Sequence, residues 1–245
     1  MLPTKVLLKA SIEASKDFWT PPFSQANDDL GHDEGLDAPV KTMPAIVPIR
    51  SLGERHRERI ALHLLTLDSA DRYLRFGYSA SDEQIRRYVL GLNFDRDEIF
   101  GVFNRKLDLV AMAHLAHIGQ DASQCFDSCA EFGVSVLKDS RALGLGSALF
   151  DRAAMHARND GVQLMFIHAL SENHVMLKIA RKAGAVVEQI GSESEAYLRL
   201  MPGTMDSRLA ELVEEQVAQV DYLLKARAKQ FWEFWADLQA KARLQ

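Results

Sequence analysis

The chain has 245 residues, a formal net charge of −5 and a 47% hydrophobic fraction, enough for one good-sized domain with appendages. The acidic balance argues against a general nucleic-acid binder, and two cysteines cannot build a disulfide framework. No run approaches the ~18 apolar residues that span a bilayer, and Val6-Leu-Leu8 is too short for a signal-peptide core, so a cytoplasmic protein without membrane contact is expected.

Residues 1–44 carry little hydrophobic periodicity. Pro21-Pro22, Asn27-Asp-Asp29 and Gly31-His-Asp-Glu-Gly35 are turn chemistry, and the segment is expected to be a flexible leader. Ala45-Ile-Val-Pro-Ile49 reads as an opening strand. The segment 54–67 spaces Ile60, Leu64 and Leu67 as a helix does. Ser81 is a good N-cap for a helix reaching Leu90, with Ile85, Tyr88 and Val89 on one side. Strands follow at 98–103 and 109–116, joined by a hairpin connection at 104–108. The next strand is 129–137, then a glycine-bearing loop, a helix to about Asp160 and a strand at 162–170. These pieces make one parallel βαβ unit with a right-handed crossover.

A helix at 172–184 and a closing hairpin, 186–190 with 196–200 around Gly191-Ser-Glu-Ser194, end the domain at residue 201. Residues 205–245 form a helical extension. Leu209, Val213, Val217, Val220, Leu224, Phe231, Phe234 and Leu238 recur at mostly three, four and seven residues, a long amphipathic helix widened by Trp232 and Trp235, with any break falling near Lys225. Such a stripe must bury against something: the core, a second copy or another partner.

Arg141-Ala-Leu-Gly144-Leu-Gly146-Ser147 lies between a strand and a helix start. Glycines let backbone N–H groups face a ligand without a Cβ in the way, and the helix N-terminus adds unsatisfied donors and the positive end of its dipole. The loop is shaped for a phosphate or pyrophosphate. A Rossmann fingerprint would need a third glycine where Leu149 stands and a carboxylate at the end of the next strand; neither is there. A Gly-Lys-Ser/Thr run is also missing, so both nucleotide motifs fail.

Arg141, Gly144 and Gly146 fit the pattern Gln/Arg-x-x-Gly-x-Gly/Ala. Asn173 opens the following helix, which closes with Lys182-Ala-Gly184. In these features, and in the order strand, loop, helix, strand, helix, hairpin, residues 45–201 resemble the GNAT N-acetyltransferases. Asp71-Arg-Tyr-Leu-Arg-Phe76 and Ala130-Glu-Phe132 resemble the bacterial branch that includes protein-lysine acetyltransferases. The resemblance implies an α/β fold: a mixed, strongly twisted sheet of six or seven strands flanked by helices, whose middle parallel pair splays to admit the pantetheine arm. It also implies acetyl-CoA as co-substrate, no metal, and direct attack by a primary amine in a ternary complex.

By the same resemblance, Val134, Ser135 and Val136 hold the pantetheine and acetyl carbonyl through their backbone. Arg141, Ala142, Leu143, Gly144, Leu145, Gly146 and Ser147 hold the pyrophosphate, and Asn173 contacts the cofactor while also serving as a helix N-cap. Glu131, ten residues before Arg141, corresponds to the general base; the competing account is a rim carboxylate paired with Arg72 or Arg75. Those two arginines are themselves read as helix-surface ion pairs, with the steering of an acidic substrate or a CoA phosphate as the alternative. The chain departs from the family at the acid: the usual tyrosine is replaced by Ala180, leaving Tyr197, Ser135 or a water.

His114 and His117 would point to opposite faces of their strand, and Cys125 and Cys129 lack knuckle spacing, so no zinc site is expected. His168 is read as a satisfied interior imidazole. The rival to an enzyme is a non-catalytic acyl-CoA-binding sensor whose C-terminal helix docks a partner. The acceptor amine, small molecule or protein lysine, is not legible.

Overall fold

The computed structural model describes residues 47–118, 128–190 and 193–242. The expected leader and Cys125 lie outside them. Seven strands form one mixed sheet: β1 (Ile49–Ser51), β2 (Glu98–Phe103), β3 (Leu109–Ile118), β4 (Cys129–Val136), β5 (Leu164–Leu170), β6 (Val186–Ile190) and β7 (Glu193–Arg199). Their order is β1-β2-β3-β4-β5-β7-β6. Every neighbouring pair is antiparallel except β4 and β5, which are parallel. The helices are α1 (Arg57–Thr66), α2 (Ser69–Phe76), α3 (Asp82–Leu90), α4 (Leu145–Asn159), α5 (His174–Lys182) and α6 (Met205–Ala242).

Strand alternation divides the apolar side chains between two cores. Ala111, Ala113, Leu115, Ala130 and Phe132 face α4 and α5, where Leu149 and Phe150 are fully buried. Leu109, Met112 and Ile99 face Ile60 and Leu64 of α1 and Ile85 of α3. Phe132 and Phe150 meet edge to face at 5.1 Å between centroids. α3 starts as its sequence predicts: Ser81 Oγ accepts the Gln84 N–H at 3.3 Å, and Gln84 returns to the Ser81 N–H at 2.8 Å, a capping box.

Three boundaries differ from the sequence reading. β1 begins at Ile49 and ends at Ser51, since Pro48 has no N–H for the ladder while Ile49, Arg50 and Ser51 register with Val102, Gly101 and Phe100; residues 45 and 46 of the expected strand lie outside the described residues. β7 begins at Glu193, earlier than the expected 196, and registers Glu193 with Ile190. α2 was foreseen only as a helix surface bearing Arg72 and Arg75, without bounds. None of its residues is fully buried, although Leu74 and Phe76 are half-buried; Asp68 caps its start and Gly77, at φ 78°, ends it.

The C-terminal extension, α6, is unbroken past Lys225 and docks on its polar side. Arg152, buried under α6, meets Glu211 at 2.9 Å and Glu215 at 3.3 Å. Arg50 donates to Gln219 at 2.7 Å and lies 4.0 Å over the Tyr222 ring. Lys225 donates to Phe103 O at 3.0 Å. His156 lies 2.6 Å from Glu211. Although burial opposes charge on both, their mutual hydrogen bond raises the His156 pKa and, with Asn159 and Arg152, holds Glu211 at about 2. The expected apolar stripe, Leu209 through Phe231, faces away from the domain and is exposed.

Candidate functional site

The parallel ladder between β4 and β5 is short: Cys129, Ala130 and Glu131 register with Leu164, Met165 and Phe166, and there it stops. β4 continues to Val136 against β3, and β5 continues to Leu170 against β7. The two strands part at Glu131, leaving a cleft of about 430 Å³ that opens toward their C-terminal ends. That volume is in the range of small-molecule sites. Glu131, Gly133 and Val134 line one wall, Ile167 to Leu170 the other, with Arg75, Tyr88 and Asn173 around them. A crevice beyond the carboxyl ends of parallel strands is where α/β sheets bind ligands.

Glu131 is solvent-exposed in this cleft. Among the described residues it has no ion-pair or hydrogen-bond partner, so the rim pairing with Arg72 or Arg75 does not form. Arg72 is spent elsewhere: it donates to Leu65 O, Leu67 O and Ala80 O and meets Asp82 at 2.7 Å. It ties the ends of α1 and α2 to the start of α3.

Arg75 instead belongs to the cleft, at the head of a chain of polar side chains. Its Nη2 donates to Tyr88 Oη at 3.1 Å; Tyr88 Oη lies 2.7 Å from His114 Nδ1; His114 Nε2 lies 3.2 Å from Asp97 Oδ2. A guanidinium can only donate, so the Tyr88 oxygen accepts and its own proton goes to His114 Nδ1. That leaves the imidazole proton on Nε2, facing a buried carboxylate. Burial, with the Arg75 charge, lowers the His114 pKa and keeps the ring neutral, while burial raises the Tyr88 pKa. Sequence reading passed over this network. Its one available signal was Tyr88 itself: a tyrosine on the inward face of a capped helix needs a partner for its hydroxyl.

The glycine loop follows β4 directly. Ala142 and Gly144 take left-handed φ values of 61° and 75°. The first backbone bond into α4 is Ala148 N–H to Gly144 O, at 3.0 Å, so the N–H groups of Leu145, Gly146 and Ser147 in the first turn have no intrahelical acceptor. A Cβ at Gly146 would stand 3.3 Å from Ile179 Cδ1, so this glycine also lets α4 approach α5. Arg141 pairs with Asp71 at 2.7 Å and donates to Val136 O at 3.2 Å. Asn173 both caps α5, accepting from Met176 N–H at 3.2 Å, and lines the cleft.

Other residues singled out from sequence lie elsewhere. Tyr197 is not among the residues lining the cleft. It donates to Glu188 at 3.2 Å, and burial together with that carboxylate raises its pKa. Ser135 is buried beneath α1, its Oγ 2.8 Å from His63 Nε2. Since His63 Nδ1 donates to Leu109 O at 2.8 Å, Nε2 accepts and the serine proton is committed to it. His168 is no interior imidazole: alternation sends Ile167 and Ala169 inward, and His168 is half exposed in the cleft, 3.8 Å from Glu195. Ala180 is fully buried in the core. His114 and His117 do face opposite sides, the latter 3.1 Å from Asp160. Among the described residues no three His, Cys, Asp or Glu side chains group as metal ligands. No described helix is long and apolar enough to cross a membrane.

A sheet splayed at its parallel pair, with a glycine loop leading into a helix beside it, is the arrangement that the sequence resemblance implies. Residues 64–185 match the Acetyltransferase (GNAT) family, so the chain carries a GNAT acetyltransferase domain. Among solved structures, the GNAT domain of S. lividans PAT superposes with a TM-score of 0.52 at 20% identity, over 62% of this chain and 89% of that one. The acetyltransferase of the GNAT family from Streptococcus pneumoniae gives 0.47 at 12% identity, over 62% and 98%. A search of curated proteins finds no match.

Proposed function

We propose that the protein moves an acetyl group from acetyl-CoA to a primary amine by direct attack in a ternary complex. The observation that carries this reading is the cleft itself. An unpaired carboxylate stands at the fork of β4 and β5, and unsatisfied helix-start amides stand at the C-terminal end of β4. The residues from Ala142 to Ser147, with Arg141, suit a pyrophosphate. The β4 edge from Val134 to Val136, which has lost its β5 partner, offers backbone groups to a pantetheine arm and a thioester carbonyl. Asn173 borders the same space.

Glu131 takes the ammonium proton, the neutral nitrogen attacks the thioester carbon, the C–S bond breaks as the nitrogen sheds its second proton to water, and the thiolate is reprotonated. With the Tyr197 hydroxyl on Glu188 and the Ser135 hydroxyl on His63, water at the cleft mouth supplies that last proton. The second reading, an acyl-CoA-binding sensor, draws support from Ala180, which stands where the family's acid is usual. Thiol release from acetyl-CoA over a pooled amine panel that includes lysine-bearing proteins separates the two. Amine-dependent release is expected. Tight acetyl-CoA binding with no amine-dependent release would establish the sensor, and acetylation of proteins but not free amines would place the acceptor.

A further inference from the structure

Two opposite charges, Glu131 and Arg75, stand on the β4 side of the cleft, and among the described residues neither has an ion pair. Arg75 is the one lysine or arginine among the described residues that line the cleft. Its guanidinium makes one hydrogen bond there, from Nη2 to Tyr88 Oη at 3.1 Å, and its Nε is buried without an acceptor. A half-buried cation with a donor left over is unfavourable until an anion completes it. Arg72, on the same helix, is completed by Asp82 and three backbone carbonyls. No described residue does this for Arg75.

The geometry sets that anion on the acceptor and not on CoA. Ala130 and Phe132 turn toward α4 and α5, whereas Glu131 and Gly133 turn the other way, toward α2 and α3. The glycine loop opens α4, so Arg75 stands across the strand from it, on the side of Glu131. The guanidinium lies over Gly133, two residues beyond Glu131 on one face and about 6.5 Å along the strand. An ammonium at Glu131 and a carboxylate at Arg75 then sit a few bonds apart in one molecule, as they do in a free amino acid. A protein lysine carries its ammonium far from any carboxylate of its own, and a polyamine would set a second ammonium against Arg75. Resting on the acetyl-transfer reading above, we propose that the acceptor is a free amino acid whose carboxylate binds Arg75 while its ammonium meets Glu131. Tyr88 is a positioning residue: its hydroxyl, oriented by His114 and Asp97, holds the guanidinium in place.

The test is thiol release from acetyl-CoA over a panel of free amino acids, each beside its own amide, with simple amines and lysine-bearing proteins alongside. The amide keeps the amine and removes the carboxylate. The best amino acid is expected to exceed its amide about tenfold or more in kcat/KM, mostly through KM. Arg75→Gln collapses that ratio toward one, and Arg75→Lys, which keeps the charge, retains part of it. Tyr88→Phe keeps the ring but frees the guanidinium, and lowers the ratio through KM and not through kcat. Because the ratio is read first on the unaltered chain, a variant that fails to fold leaves the test in force. Amides, simple amines or protein lysines turned over as well as amino acids overturn this inference and leave acetyl transfer standing. A ratio that survives Arg75→Gln takes the carboxylate away from Arg75 and overturns it too. No release with any amine, free or on a protein, overturns the acetyl-transfer reading and this inference with it.

Discussion

The guanidinium of Arg75 occupies the space that a side chain on Gly133 would need: a Cβ there would stand 2.7 Å from Arg75 Cζ. Glycine at this point of β4 is what lets an arginine from α2 lie over the strand and into the cleft, within reach of Tyr88. Gly133→Ala should therefore push Arg75 out and break its bond to Tyr88, since a strand backbone cannot yield as a side chain can. We expect the KM for the amine to rise about tenfold, the effect of ~1.4 kcal/mol of lost contact, with acetyl-CoA affinity nearly unchanged. Steady-state kinetics beside calorimetric titration measure both. An unaltered KM with Arg75 displaced would remove Arg75 from acceptor binding.

Glu131→Gln keeps the shape of the side chain and removes the base. A lysine-like amine with pKa ~10.4 is almost wholly protonated at neutral pH, so turnover should fall by about 10²–10⁴-fold. It should recover in part as pH rises toward the amine pKa, because free amine then needs no base. Acetyl-CoA affinity should hold. A pH–rate profile of both proteins decides it, and equal rates near neutral pH would reduce Glu131 to a rim carboxylate.

The loop offers a paired test of backbone strain. Ala142 bears a Cβ at φ 61°, while Gly144 takes φ 75° with open space around it. Left-handed backbone costs an L-residue roughly 1–2 kcal/mol. Ala142→Gly should stabilise the domain and Gly144→Ala destabilise it, each by about 1 kcal/mol in denaturant unfolding. If both changes were neutral, the loop would not hold these φ values in solution.

His63 makes acid stability predictable. Burial first, then the Arg75 charge, lower its pKa to about 4, against the opposing pull of the Leu109 carbonyl. The unfolded chain binds a proton at about pH 6.5 that the folded chain refuses, so stability falls as pH drops through 6.5 toward 4. The loss over that window is at most roughly 3 kcal/mol. Urea unfolding at several pH values across it should show the slope, and His63→Gln, which does not titrate, should flatten it. An unchanged slope in the variant would assign acid sensitivity to other groups.

The elements that bury one face were legible from the chain alone. β2, β3, β4, α1, α3, α4 and α5 each carry an apolar period, and Ser81, Asn173 and Gly144 mark helix starts by local hydrogen bonding or by a required φ. α2 was legible only as the helix surface of Arg72 and Arg75, since its eight residues are too few for a period to fix its bounds. The cleft was legible only in part. The loop and Glu131 are contiguous with β4, whereas Arg75, Tyr88 and His114 come from three separate elements and Asp97 from the turn before β2, and no spacing in the chain announces that they meet.

α6 separates the two kinds of information most clearly. Its helical state and its apolar stripe follow from local propensity and from 3.6-residue spacing, which need no partner to be read. Which side meets the domain does not follow. Arg50, Arg152 and His156 lie far from α6 in sequence, and burying them under it without carboxylate and amide partners would cost more than leaving Val220 or Leu224 in water. The sequence by itself determined that there would be a helix with two unlike faces; the placement of buried cations on the domain, a tertiary fact, decided that the polar face turns inward.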